Sequence, residues 1–379
     1  MLPVRTGGGL QNALSLIDTL QSPDQFTVIC NKNSKIESAA VRRAFRCLPI
    51  ESRMRFELFE VLRKRLRKSF CFTQFGPPIL GAVKHSTNLC GVAYSNLFYP
   101  DLDFWGYLSG LAKFRKQMVD RIRAKTIARA DAWIFETKVL ANRAVERGFP
   151  EERVFHVPMA VSSIVTKRRD ENSSELNSQL STDKFKVLYL GTGHPNKRQL
   201  LLPPIAQKLK TRGCDEFQFI TTMDPNSAYA KKVLAKASEL GVNEQIKNIG
   251  TISPHDVANV ISSCEAMCLF SQLESFSNNF VEAWSCGRPL LVTDDDWSRD
   301  ACGDAAVYVR PDHVEETAHA IYDLMNAPAH ITSIVDEGKK QIARYPSAEE
   351  KTNLYVDVIQ KVRDMGTLSS RQKRNIWNA

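Results

Sequence analysis

Apolar and polar positions alternate most regularly in the second half of the chain. Short apolar runs at residues 186–191, 217–221, 246–249, 266–270, 290–293 and 306–309 read as strands. Segments with helical spacing lie at 199–211, 228–240, 256–263, 279–286 and 315–326. Gly241 closes one of these helices, and Gly287 with Pro289 beyond it stops another. Strands that alternate with helices pair in parallel through crossovers, so this half is expected to be a doubly wound α/β sheet.

The first half reads less evenly. Helices are expected at 11–20 and, strongly basic, at 54–67 and 113–129; strands are expected at 26–30, 70–75, 89–94 and 132–135. This too is α/β, yet it leaves no room for a full strand before Gly7, where a doubly wound domain normally opens with one. Residues 166–184 are rich in Ser, Asn and charge, which reads as a linker or surface loop. The expected organisation is an N-terminal domain (1–157), a linker (158–184), a C-terminal domain (185–346), a helix (347–366) and a tail (367–379) that is expected to be disordered from Ser369 to Ala379.

Composition narrows the class. At 43% hydrophobic and 25% charged, the 379 residues have the balance of a soluble globular protein. No run reaches the ~18–20 apolar residues that span a bilayer, and residues 1–9 lack a signal-peptide core. The expected location is therefore cytoplasmic. Nine scattered cysteines without a Cys-x-x-Cys pair fit small apolar residues in a reducing compartment. The few histidines do not cluster as zinc ligands would.

The net charge of +9 is unevenly placed. Residues 1–157 carry 25 Lys/Arg against 14 Asp/Glu, and the remainder 26 against 28. The two basic helices are either a solvated face or a contact with an anionic membrane. In the second case Met54, Phe56, Leu58, Phe59, Val61 and Leu62 supply an apolar face. No nucleic-acid partner is expected, because the basic half has no recognised motif and no interleaved aromatics.

The candidate chemistry centres on residues 273–289. A strand runs into a polar loop that opens a helix, which puts backbone N–H groups and the positive helix end at the carboxyl edge of the sheet. Glu274 precedes the loop, and Glu282 lies in the first turns of the helix at capping-box spacing from Asn279. Spacing alone leaves two readings open: a helix cap with a solvated loop acid, or a pair of ligand-binding carboxylates.

The run Glu274, Phe276, Glu282, Cys286-Gly287 and Pro289, in this order after a strand, resembles the Glu-x7-Glu signature of glycosyltransferase family four, retaining enzymes of the GT-B fold. Gly303-Asp304-Ala305-Ala306 with Pro311 resembles the family's next landmark, and the likeness covers about 185–345. It implies two Rossmann-like doubly wound parallel-sheet domains facing a cleft. It implies metal-independent transfer of a sugar from a nucleotide-sugar with retention, the departing phosphate helping to deprotonate the acceptor. The nucleotide-sugar is a substrate, and no cofactor is expected. Glu282 would bind the ribose hydroxyls, Glu274 the donor sugar near its anomeric carbon, and the amides around Ser277, Asn278 and Asn279 the diphosphate, with Phe276 beside them. The family's common employment implies a saccharide or lipid-linked acceptor at the inner face of the plasma membrane, in polysaccharide or lipopolysaccharide biosynthesis. A nucleotide-sugar epimerase of the same fold is the alternative.

A second block, Gly191-Thr192-Gly193-His194-Pro195-Asn196-Lys197-Arg198, follows a strand. The resemblance places Lys197 as a cation that clamps the donor phosphates, where it would stabilise charge developing on the leaving group. Thr192 stands where the family has an arginine, and Arg198 and His194 are candidates to replace it. Gly7-Gly8-Gly9, opening a helix, would let amides approach a phosphate or sugar as the family's Gly-Gly loop does. The family's first-domain histidine has no counterpart in Val92-Ala93-Tyr94-Ser95-Asn96, so Tyr94 and Asn96 become the candidates there and His85 reads as a surface residue. Asp101, Asp103 and Asp294 to Asp296 read as loop and helix-capping acids rather than metal ligands.

Overall fold

The computed structural model describes residues 7–50, 70–74, 87–161 and 180–377. Two compact units emerge: Met1–Ala160 with Pro346–Ala379, and Val161–Tyr345. The basic helix expected at 54–67, His85, most of the linker and residues 1–6 lie outside the described residues.

Unit 1 begins with α1 (Gly7–Thr19), β1 (Thr27–Asn31), α2 (Lys35–Arg42) and β2 (Arg46–Ile50). It continues through β3 (Phe70–Thr73), β4 (Thr87–Gly91), α3 (Gly110–Ile127), β5 (Ala132–Phe135), α4 (Lys138–Glu146) and β6 (Val154–His156). β1 and β2 pair in parallel, and β3-β4-β5-β6 form a second parallel sheet in chain order. Three of the elements without a sequence signal are short or interrupted: α2, β6, and β2, whose Pro49 argues against a strand.

Unit 2 contains β7 (Phe185–Tyr189), α5 (Leu202–Thr211), β8 (Phe217–Thr221), α6 (Ala228–Glu239), β9 (Ile246–Asn248) and α7 (Val257–Ser262). Then follow β10 (Ala266–Leu269), α8 (Asn278–Ser285), β11 (Leu290–Thr293), α9 (Asp296–Cys302), β12 (Val307–Val309), α10 (Val314–Asn326) and α11 (Pro328–Ile342). The six strands are parallel in the order β12-β11-β10-β7-β8-β9. Strands β7 and β10 register as Val187 with Ala266 and Leu188 with Met267. Successive strands move one way from β7 and then, from β10, the other way. That reversal opens a crevice at the carboxyl ends of β7 and β10, the usual ligand position of such sheets. The strands β7, β8, β10 and β11 are almost wholly apolar because helices cover both faces. Cys264 and Cys268 are buried there as small apolar side chains.

The chain returns to unit 1 with α12 (Ala348–Met365) and α13 (Ser370–Asn375). The tail expected to be disordered is instead anchored. Ser369 and Gln372 form a capping box at the start of α13. Trp377 packs its ring 5.0 Å from Phe98 and 5.0 Å from Phe149, and its Nε1 donates to the Ala124 carbonyl at 3.0 Å. Arg153 donates to the carbonyls of Met365 and Gly366. Fully buried Asp131 accepts from the amides of Asn88 and Leu368 and meets Lys373 Nζ at 2.7 Å. The polar composition of the tail concealed these anchors, because the partners of Arg153, Asp131 and Trp377 lie far away in sequence.

Asp131→Asn leaves one acceptor oxygen where the carboxylate serves three donors. We expect it to lower unfolding free energy by about 2 kcal/mol, read as a fall in the urea midpoint at constant slope. An unchanged midpoint would mean that the anchor adds nothing to stability.

Candidate functional site

Two loops leave the crevice of unit 2, one after β7 and one after β10. The buried Tyr189 side chain ties them together: its hydroxyl donates to the Lys197 carbonyl and accepts from the Phe270 amide at 3.1 Å. Burial pushes that phenol well above its ordinary pKa, which keeps it a neutral donor. Asn196 adds two more links, from its Nδ2 to the Leu273 carbonyl (2.9 Å) and from the Gln272 amide to its own backbone carbonyl (2.8 Å). Asn279 Nδ2 reaches back to the Leu190 carbonyl at 2.8 Å, and the Gly191 amide donates to Thr222 Oγ1 at 2.9 Å. Each such bond is worth only about 1 kcal/mol, but together they fix the two loops against each other within unit 2.

Charge is concentrated at this junction. Lys197 Nζ lies 2.7 Å from Glu274 Oε1, with the two side chains 21% and 17% exposed. Gly191 sits beside the Lys197 stem; a Cβ there would be 4.0 Å from its Cε. Ser277 caps α8, its Oγ accepting from the Asn279 amide. Glu282, one turn into α8, is buried, and burial pushes its carboxyl up to about 7 while Lys197 pulls in the opposite direction. Burial and Lys197 are the causes of that shift, and no hydrogen bond is among them. A buried acid of this kind is destabilising, which is the usual mark of a group kept for a ligand.

Helix α8 is held from behind. Phe276 packs on Phe280 and Tyr345, and Trp284 donates to the Ala305 carbonyl at 3.0 Å. Gly338 of α11 lets the two helices approach, since a Cβ there would stand 2.7 Å from Trp284. Around the N-terminal end of α8 the arrangement thus offers a cation, a fixed helix N-terminus and two carboxylates with different surroundings.

The structure brings Gly191, Lys197, Glu274, Phe276, Ser277, Asn278, Asn279 and Glu282 onto the two loops and α8. One expectation needs correction. Asn279 and Glu282 do not form a capping box, because the helix starts one residue earlier and Ser277 is the cap. Arg198, the candidate to replace the arginine absent at Thr192, pairs its Nη1 with Asp312 at 3.0 Å. His194 uses Nδ1 to accept from the Asn196 amide within its own turn. Thr192 is exposed, and its carbonyl accepts from Gln199.

Gly7, Gly8 and Gly9 form the first turn of α1 in unit 1. Tyr94 and Asn96 are also in unit 1, where both serve a local network. Asn96 Nδ2 and Trp105 Nε1 donate to Asp120, and Arg123 joins Asp120 while stacking 4.4 Å from the Tyr94 ring. Asp295 forms a capping box with Ser298 on α9, Asp294 pairs with Arg299, and Asp103 pairs with Lys113. Sequence reasoning passed over Tyr189, Asn196 and Thr222. A tyrosine ending an apolar strand was the one available signal, since a buried hydroxyl needs a partner.

Residues 170–341 match the family described as glycosyl transferases group 1. The chain is 25% identical over 236 residues to the MMP alpha-(1->4)-mannosyltransferase of Mycolicibacterium hassiacum, covering 61% of this chain and 52% of that protein. The chain therefore spans about half the length of the curated relative it matches. Among solved structures it is similar to Anabaena HepE in complex with UDP and glucose, with TM-score 0.73, 14% identity, and 94% and 97% of the two chains covered. A glycosyltransferase from Rickettsia africae gives 0.71 at 12% identity, covering 96% and 97%. Sucrose-phosphate synthase from Thermosynechococcus elongatus gives 0.67 at 15%, covering 95% and 95%. These likenesses establish the GT-B fold.

Proposed function

We propose that this protein is a retaining glycosyltransferase that moves a sugar from a nucleotide-sugar to a saccharide or lipid-linked saccharide acceptor, in cell-surface polysaccharide or lipopolysaccharide assembly. The observation that carries the proposal is the buried Glu282 beside the Lys197–Glu274 pair at the N-terminus of α8. The family match over this segment supports it.

In this reading Glu282 accepts hydrogen bonds from the ribose hydroxyls. The α8 amides and Lys197 hold the diphosphate, and Glu274 contacts the donor sugar. The bond from the anomeric carbon to the phosphate oxygen breaks, and the acceptor oxygen bonds to that carbon on the same face. The acceptor proton passes to the departing phosphate. Lys197 and the helix end neutralise the charge that develops on the leaving group, so no metal is required. The neighbour solved with UDP and glucose makes uridine the first base to test, and the mannosyltransferase relative makes mannose an early sugar candidate.

A panel of nucleoside diphosphates tests the donor site by thermal unfolding. A ligand at about 100 times its Kd should add about 2.7 kcal/mol. We expect one base to stabilise the protein and Glu282→Ala to lose that shift. No shift with any nucleotide, in folded protein, would leave the fold without this chemistry.

A further inference from the structure

Helix α3 of unit 1 is turned inside out. A surface helix normally buries its apolar stripe. Here the buried residues are Asp120 and Ile127, while Leu111, Phe114, Met118 and Ile122 form an outward stripe at 63%, 54%, 37% and 60% exposure, with Val119 beside it. Of ten large apolar side chains exposed among the described residues, six fall between 107 and 122, so the feature is local rather than scattered. The segment before the helix adds Phe104, Trp105 and Tyr107 in ring contact.

The same helix carries six Lys/Arg. Lys113 pairs with Asp103 and Arg123 with Asp120. Arg115, Lys116, Arg121 and Lys125 are exposed and have no acidic partner among the described residues. Helical geometry places Arg115, Arg121 and Lys125 along the edges of the stripe, and Arg121 lies against Met118 (Nη1 to Sδ 3.6 Å). Long basic side chains can lie along an apolar surface and keep their charge in water.

We infer that α3 docks on an anionic lipid surface, with the stripe Leu111-Phe114-Met118-Ile122 entering the acyl boundary and the flanking cations meeting lipid phosphates. Apolar stripe, basic flanks and neighbouring aromatic rings are the composition of a helix that lies in the membrane interface. Charge decides against a second copy as the occupant, since a twofold contact would set these cations against themselves. No described helix is long and apolar enough to cross the membrane, so the contact is peripheral. The inference is independent of the sugar chemistry in unit 2.

Co-sedimentation of the full chain with vesicles tests it. Binding to mixed phosphatidylcholine–phosphatidylglycerol vesicles should exceed binding to pure phosphatidylcholine by at least about tenfold and weaken with salt. Phe114→Glu with Ile122→Glu should remove binding without altering circular dichroism or melting, because both positions are exposed. Arg115→Gln, Lys116→Gln and Lys125→Gln together should abolish the preference for anionic lipid. Equal binding to both vesicles, or stripe variants that bind as well as the parent, would overturn the proposal. So would a protein that ignores vesicles but dimerises through Phe114 and Ile122.

Discussion

Lys197→Ala is expected to lower kcat/KM for sugar transfer by about 100- to 1,000-fold, the usual cost of removing one charge-stabilising donor from a reacting site. Lys197 is placed by its backbone before its charge matters. Its carbonyl accepts from the Tyr189 hydroxyl, and the neighbouring Asn196 is bonded to the Leu273 and Gln272 backbone. Its ammonium rests on Glu274 in a largely sheltered pair. A donor diphosphate would give it a second anion, at the point where the bond to the sugar breaks. Lys197→Arg keeps the charge but changes its shape, so partial recovery is expected. Initial rates with the donor found by thermal unfolding provide the measurement. A loss of less than about threefold would remove Lys197 from the chemistry.

Glu282→Gln should make the protein more stable in mild alkali and leave it nearly unchanged in mild acid. Burial raises the Glu282 carboxyl from 4.5 to about 7. In the unfolded chain this acid titrates near its ordinary value, about 4.3. Between these values the folded protein holds a proton that the unfolded chain has released. The stabilising contribution is therefore complete below the unfolded value and is lost as pH rises through about 7. The full difference corresponds to about 4 kcal/mol at 1.36 kcal/mol per pH unit. Glutamine resembles the protonated acid and escapes the penalty, so the variant should gain up to about 4 kcal/mol at pH about 8 and little at pH about 4. Urea midpoints at the two pH values decide the matter; a constant difference between variant and parent would show that Glu282 does not titrate in this window. Because the variant also lacks the anionic acceptor, it should bind nucleotide more weakly while folding better, a trade of stability against function.

Much of unit 2 was legible in the sequence because its signals are local. Apolar runs of four or five residues marked β7, β8, β10 and β11, and helical spacing marked α6 and α10. The order Glu274, Phe276, Glu282, Gly287 and Pro289 located the candidate site because strand, loop and helix follow one another directly. Elements with weak local patterns escaped: β2 with its proline, the seven-residue α9, and α11, which begins at Pro328. The exposed stripe of α3 also escaped, because periodicity shows where apolar residues line up but not whether that face points inward.

The sequence alone determined an α/β chain of two sheet-bearing parts and a short list of charged residues at one strand end, since strand and helix periods and caps depend on neighbours within a few residues. Tertiary structure decided what those residues touch. Lys197 meets Glu274 across 77 positions of sequence, and Arg198 pairs with Asp312. Ser277, not Asn279, caps α8, and a polar tail is fixed at Leu368 by Asp131, 237 positions earlier. A side chain's partner, burial and proton affinity come from groups that folding brings together, and no local pattern encodes that choice.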